Sequence, residues 1–202
     1  MKIAVEPHNP DWSNQFTNES KKILDCLGDV NPVINHIGST SVVGLSAKPI
    51  IDIMLGLPQL EELHKIVPLM QSLGYSYVSR YEDTMPYRRF FVMYAQEKHL
   101  PYIPIVDYST PNMGEAGYQS LIHVHSVVIG SEFWERHLAF RDYLRSHVDE
   151  RDKYGNFKLT LARQDWENSM EYSAAKHDFI QEMQQKALDW YLLKNKDGNN
   201  HT

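Results

Sequence analysis

Hydrophobic positions along this chain follow two spacings. Trp12, Phe16, Ile23, Leu24 and Leu27 recur near one face at helical spacing, which predicts a helix entered at residues 9–11, with Asn9 or Asp11 as its cap, and ending about Gly28. A second helical pattern covers residues 60–73 and stops at Gly74. Short β-branched and aromatic runs predict strands over residues 2–5, 32–37, 49–57, 75–79, 88–94 and 120–129, with 49–57 reading as a central strand. Residues 98–117 hold Pro101, Pro104, Pro111 and Asn112, and read as an irregular excursion over the sheet, extended at 102–106.

After Gly130 only the helical spacing persists. Ser131 is placed to cap a helix carrying Trp134, Leu138, Phe140, Arg141, Leu144 and Arg145. Residues 151–163 form a second helix, and residues 164–193 one long helix burying Trp166, Met170, Ala174, Phe179, Met183 and Leu188. Strands and helices mixed to residue 130, then helices alone, predict an α+β fold with a helical C-terminal layer. The domain reading is an α/β core over 1–130, a helical layer over 131–195 packed on it as one globular unit, and a disordered polar tail over 196–202.

Composition narrows the class. A chain of 202 residues is long enough to bury a sizeable core. A net charge of −6, with no strongly basic segment, argues against nucleic acid or an anionic membrane as partner. Cys26 is the single cysteine, so no intrachain disulfide forms, and its place in a helical pattern makes it a core residue. No apolar run reaches the roughly 20 residues of a membrane span. The opening residues are too polar for a signal peptide, which leaves the cytoplasm as the expected location.

The densest chemistry lies between His36 and Met54, in the run His-Ile-Gly-Ser-Thr-Ser-Val-Val-Gly-Leu-Ser-Ala-Lys-Pro-Ile-Ile-Asp-Ile-Met. Gly38 lets backbone approach a ligand, Ser39 and Thr40 add hydroxyls, and amides at a following helical turn favour an anion. Lys48 supplies a compact positive charge. Asp52 sits inside an apolar strand, where a carboxylate is costly unless a cation meets it. Phosphate on one side and a cation on the other is the implied chemistry. Among the arginines, Arg88 and Arg89 open a strand and point to opposite faces, and Arg89 and Arg141 are the candidate forks for phosphate. Strand spacing places His123 and His125 together, and His125, with His36, joins Asp52 as a candidate metal ligand. The many tyrosines of the middle third read as sheet packing rather than base stacking.

The run from His36 to Val42, followed by Gly44-Leu and by Ala47-Lys-Pro-Ile-Ile-Asp52-Ile, resembles the signature of the GrpB family of the nucleotidyltransferase-fold superfamily. The resemblance extends to Val5-Glu-Pro-His-Asn-Pro-Asp-Trp12, His123-Val-His125, the segment from Leu138 to Arg145, Tyr154, Lys158 and Lys176, and spans about residues 5–180. It implies a nucleotidyltransferase-like mixed sheet flanked by helices, with phosphate held at the Gly38-Ser39 turn. It also implies divalent metal, magnesium or a transition metal, held by two acids two apart on the next strand and a third on a later one. The implied activity is metal-dependent nucleotidyl transfer, with a nucleotide or phosphorylated small molecule as partner and Asp52 as the catalytic acid. Lys158 and Lys176 would close over the ligand.

The sequence departs from the active pattern. Asp52 fills the first acid position, but Met54 stands at the second, and a thioether does not replace a carboxylate oxygen for magnesium. The expected late strand has no acid between Gln119 and Ile129, which leaves Asp107 or Glu115 to fold back as the third ligand. Two alternatives to transfer follow: a non-catalytic binder of nucleotides or phosphometabolites, and a metal site built on histidines.

Overall fold

A computed structural model describes residues 3–96, 99–167 and 169–199. Side chains are also left undescribed at 169–170 and 195–199. The fold is α+β, with a five-stranded mixed sheet and six α-helices among the described residues. The chain forms two compact units. The sheet unit comprises residues 11–37 and 50–134, and the helical unit residues 1–10, 38–49 and 135–202.

The sheet unit opens with α1 (Asp11–Cys26). It continues through β1 (Val33–Ile37), β2 (Ile51–Leu57), α2 (Glu62–Ser72), β3 (Ser76–Tyr77), β4 (Arg88–Tyr94) and β5 (Ser120–Val128). The strand order is β1-β2-β5-β4-β3, with β2 and β5 parallel and the other neighbours antiparallel. The parallel pair is central, as the near-continuous apolar run of β2 requires of a strand buried on both faces.

Register assigns the two faces. Ile37 pairs with Asp52, Asp52 with His123 and Met54 with His125; across the next ladder His123 pairs with Val92 and His125 with Phe90. These residues share one face. The other carries His36, Ile53, Val124, Phe91 and Arg89, and is covered by α1 and α2: Phe16 stacks on His36 at 4.5 Å, and His64 meets Arg89. Cys26, half-buried at the end of α1, lies 3.6 Å from the Leu69 carbonyl of α2. Gly56, on the Asp52 face, lets Trp134 lie against β2, since a Cβ there would fall 2.8 Å from the ring atom Cη2.

The helical unit contains most of α3 (Glu132–Ser146), then α4 (Val148–Ala162), α5 (Ser169–Ala174) and α6 (His177–Asn199). Its core is discontinuous in sequence. Val42 and Leu45 pack with Tyr143, Leu144, Tyr154, Met183 and Ala187. Ile3 packs with Leu161 and Tyr172. Ser131 caps α3 as expected, its hydroxyl facing the Trp134 amide at 3.4 Å.

Several expectations change. The strand over 2–5 reduces to a single bridge in which Glu6 and Ala47 exchange backbone hydrogen bonds of 2.8 and 2.9 Å, closing the loop 38–49. The strand over 75–79 shrinks to Ser76–Tyr77. The single helix over 164–193 is two helices, Ser169–Ala174 and His177–Asn199, parted by a turn at residues 175–176 in which the Lys176 amide donates to the Ser173 carbonyl at 3.3 Å; ahead of them the Trp166 indole donates to the Leu161 carbonyl at 2.9 Å at the end of α4. The tail assigned to 196–202 is helical as far as Asn199, and residues 200–202 lie outside the described residues, as do Lys2, Lys98 and the Met170 side chain. The domain boundary lies near residue 134 rather than 130, and the Gly-Ser loop belongs with the helices rather than with the sheet. Among the described residues no helix is long and apolar enough to cross a membrane.

Candidate functional site

The segment richest in chemistry is divided: the loop 38–49 lies in the helical unit and Asp52 in the sheet unit. In the helical unit, the chain leaves β1 through Gly38 at φ 68° and ψ −175°, a region essentially confined to glycine. Ser39–Ser41 then form one 3-10 turn, closed by the Ser41 hydroxyl donating to the Gly38 carbonyl at 2.6 Å. Thr40 is buried in it.

Three cations from α3 and α4 hold this loop by its carbonyls. Arg145 donates through Nε and Nη2 to the Ser41 carbonyl at 3.1 and 2.7 Å. Arg151 donates to the Val43 carbonyl at 3.1 Å. Lys158, only 4% exposed, donates to the Ser46 carbonyl and to Ser39 Oγ at 2.8 Å, with its ammonium 4.5 Å from the Tyr154 ring. An ammonium only donates, so Ser39 Oγ accepts from Lys158 and keeps its own O–H to give. No acceptor for that proton is found among the described residues.

Lys48 lies apart from this arrangement. Its ammonium sits 4.6 Å from the Tyr172 ring, which Lys176 also approaches at 4.4 Å, and burial pushes the Lys48 pKa down. Arg141 forks onto the neighbouring Asp142 at 2.7 and 3.1 Å. Arg145, one turn further along α3, is the arginine that reaches the loop; burial and then the charge of Arg141 depress its pKa.

In the sheet unit, Asp52 has a partly exposed carboxylate, 3.3 Å from His123 Nδ1. Phe90 lies between the two histidines, with its centroid 5.3 Å from His123 and 4.8 Å from His125. His125 Nδ1 faces Arg88 Nη1 at 3.1 Å; because a guanidinium only donates, Nδ1 accepts, and the histidine proton resides on Nε2. Arg88 is therefore the arginine on the Asp52 face. Arg89, the expected phosphate ligand, points to the other face and meets Glu82 at 3.3 Å, His64 at 2.9 Å and the Pro86 carbonyl at 3.0 Å. Burial lowers the Arg88 pKa.

Similarity to known proteins adds the lineage. The GrpB protein family profile matches residues 2–186. The chain belongs to the GrpB family. A UPF0157 protein of Halalkalibacterium halodurans is 31% identical over 185 residues, covering 92% of this chain and 82% of that protein. The glutamate-rich protein GrpB of Alkalihalophilus pseudofirmus is 24% identical, covering 90% of this chain and 93% of that one. The crystal structure of the conserved protein GrpB from Enterococcus faecalis superposes with a TM-score of 0.74 at 28% identity, over 94% of this chain and 99% of that one.

Within this GrpB fold the donors expected to hold a metal are not gathered. His36 pairs with Ile53 and faces α1, away from Asp52, and His125 faces Arg88. Met54 is fully buried. Asp107 closes its own turn instead of reaching back, accepting from the amides and hydroxyls of Ser109 and Thr110, and those bonds hold its pKa down. Among the described residues no group of three His, Cys, Asp or Glu side chains is placed to share an ion. One carboxylate and one imidazole would leave most of an octahedral magnesium shell to waters and substrate phosphates.

Proposed function

We propose that this GrpB-family protein binds a phosphorylated small molecule, nucleotides foremost, through the turn at residues 38–41. The observation that carries the reading is Ser39: its hydroxyl accepts from a buried ammonium and retains a proton for an anionic acceptor. A glycine in the mirror-β region followed by a single 3-10 turn supports it. So does the likeness of a mixed sheet, with Gly-Ser after its first strand and an acid on its second, to the nucleotidyltransferase superfamily. The reading is of binding rather than transfer, because Met54 stands at the second acid position, Asp107 closes its own turn, and among the described residues no three metal-binding side chains gather.

Calorimetric titration with ATP and with inorganic pyrophosphate tests it. The expected result is saturable binding that Ser39→Ala weakens at least tenfold and Asp52→Asn leaves within about twofold. Failure of both ligands to bind the unmodified protein would end the reading.

The partly exposed Asp52 carboxylate favours one second reading, metal-dependent nucleotidyl transfer. That reading would appear as a rise in melting temperature with magnesium and nucleotide together, abolished by Asp52→Asn.

A further inference from the structure

Arg88 has no role in the turn at residues 38–41, and among the described residues nothing beside it balances its charge. It is 9% exposed, and no carboxylate lies against it among the described residues. The one hydrogen-bond partner of its guanidinium there is His125, which accepts through Nδ1 at 3.1 Å. The rest of its environment is aromatic: the guanidinium carbon lies 5.0 Å from the Phe90 centroid, 5.7 Å from Phe133 and 5.9 Å from Tyr81.

Its neighbour shows what a structural arginine of this strand looks like. Arg89 has Glu82 and two backbone carbonyls. Ring faces offset only part of the cost of burying a guanidinium, which retains its full charge and most of its fork of donors. A methionine of similar length would fill the same aromatic setting without that cost. Tyr81 and Tyr87 reach solvent beside it, so an entering ligand meets a wet aromatic rim before the charge.

We propose that Arg88 anchors an oxyanion site on the Asp52 face of the sheet, with His125 at its edge and Phe90, Phe133 and Tyr81 as an apolar wall. The ligand is a carboxylate or phosphate carried on a flat apolar body: the fork takes two oxygens, and the rings take the body. The site shares no residue with the Ser39 turn, so either stands if the other fails.

The test follows the imidazole signals of the full-length protein by nitrogen-correlated NMR during titration with benzoate and, separately, inorganic phosphate. The two probes distinguish a carboxylate from a phosphate source. At least one is expected to shift the His125 ring signals saturably, with unchanged affinity in Ser39→Ala. Arg88→Met should lose that affinity at least tenfold while keeping the other backbone signals. Arg88→Lys, which keeps the charge and loses the fork, should fall between the two and serves if the methionine variant does not fold. The proposal is overturned if neither anion moves His125, if Ser39→Ala abolishes the shift, or if Arg88→Lys binds as tightly as the unmodified protein.

Discussion

Single residues decide most of the chemistry, and several do so through backbone rather than charge. At Gly38, φ 68° with ψ −175° is open to glycine and strained for any residue with a Cβ. Gly38→Ala should therefore cost about 1–3 kcal/mol, read as a lower urea midpoint at unchanged slope. Two tyrosines, buried Tyr75 and half-buried Tyr94, make a pH prediction. Burial, reinforced by Glu19, pushes the Tyr75 pKa far above the ordinary 10.0, and burial pushes Tyr94 up to about 12. Both folded values exceed the unfolded one, so the fold holds protons that the unfolded chain releases. Their stabilisation is complete below pH 10.0 and declines as pH rises through 12. Alkaline unfolding should begin in that window, and Tyr94→Phe should flatten it by about one proton, measured as unfolding free energy against pH. At neutral pH, Tyr75→Phe removes the 2.9 Å bond to buried Glu19. It should cost about 1–3 kcal/mol in the same urea assay, since it leaves a buried acceptor short of a donor.

At the scale of elements, alternation and register carry the argument. The apolar run over residues 49–57 reads as a buried central strand, observed at Ile51–Leu57, and the strand at 88–94 is found to the residue, because a short run of apolar, β-branched and aromatic residues needs no tertiary information. The same alternation says that Arg88 and Arg89 oppose each other, yet not which of them faces α2. That depends on which residue of β5 each pairs with, and the pairing of Arg88 with Val127 settles it. The same holds for His36, expected beside Asp52 as a metal ligand: its pairing with Ile53 turns it to the other face, toward Phe16. The contact between β2 and the start of α3 is the most sensitive of these packings. Gly56→Ala drives a methyl into Trp134 and Ile129. It should destabilise by about 1–3 kcal/mol, as overpacking does, with the loss visible in near-ultraviolet circular dichroism of the tryptophan.

For the whole molecule, the division into units governs what folds alone. The helical unit draws Val42, Leu45 and Ile3 into its cores from segments far from its helices in sequence. A fragment of residues 135–202 lacks all three and should show no cooperative thermal transition; adding a peptide spanning 38–49 should restore part of the helical signal. That dependence was invisible in the sequence, where a loop between two strands reads as part of the sheet domain. Local physics accounts for what the sequence determined by itself: the α+β order, the Ser131 cap, the strand alternation, the Gly-Ser turn, the acid at Asp52 and the thioether at the second acid position, Met54. All of these depend on the identity and spacing of near neighbours. Tertiary structure decided which side chains meet: Lys158 on Ser39 across 119 positions, Arg145 on the Ser41 carbonyl, Arg88 against His125, and Asp107 spent on its own turn. Such meetings are fixed by long-range register and packing, which no local period encodes, because any strand parity or helix rotation that buries the same apolar face would satisfy the pattern equally well.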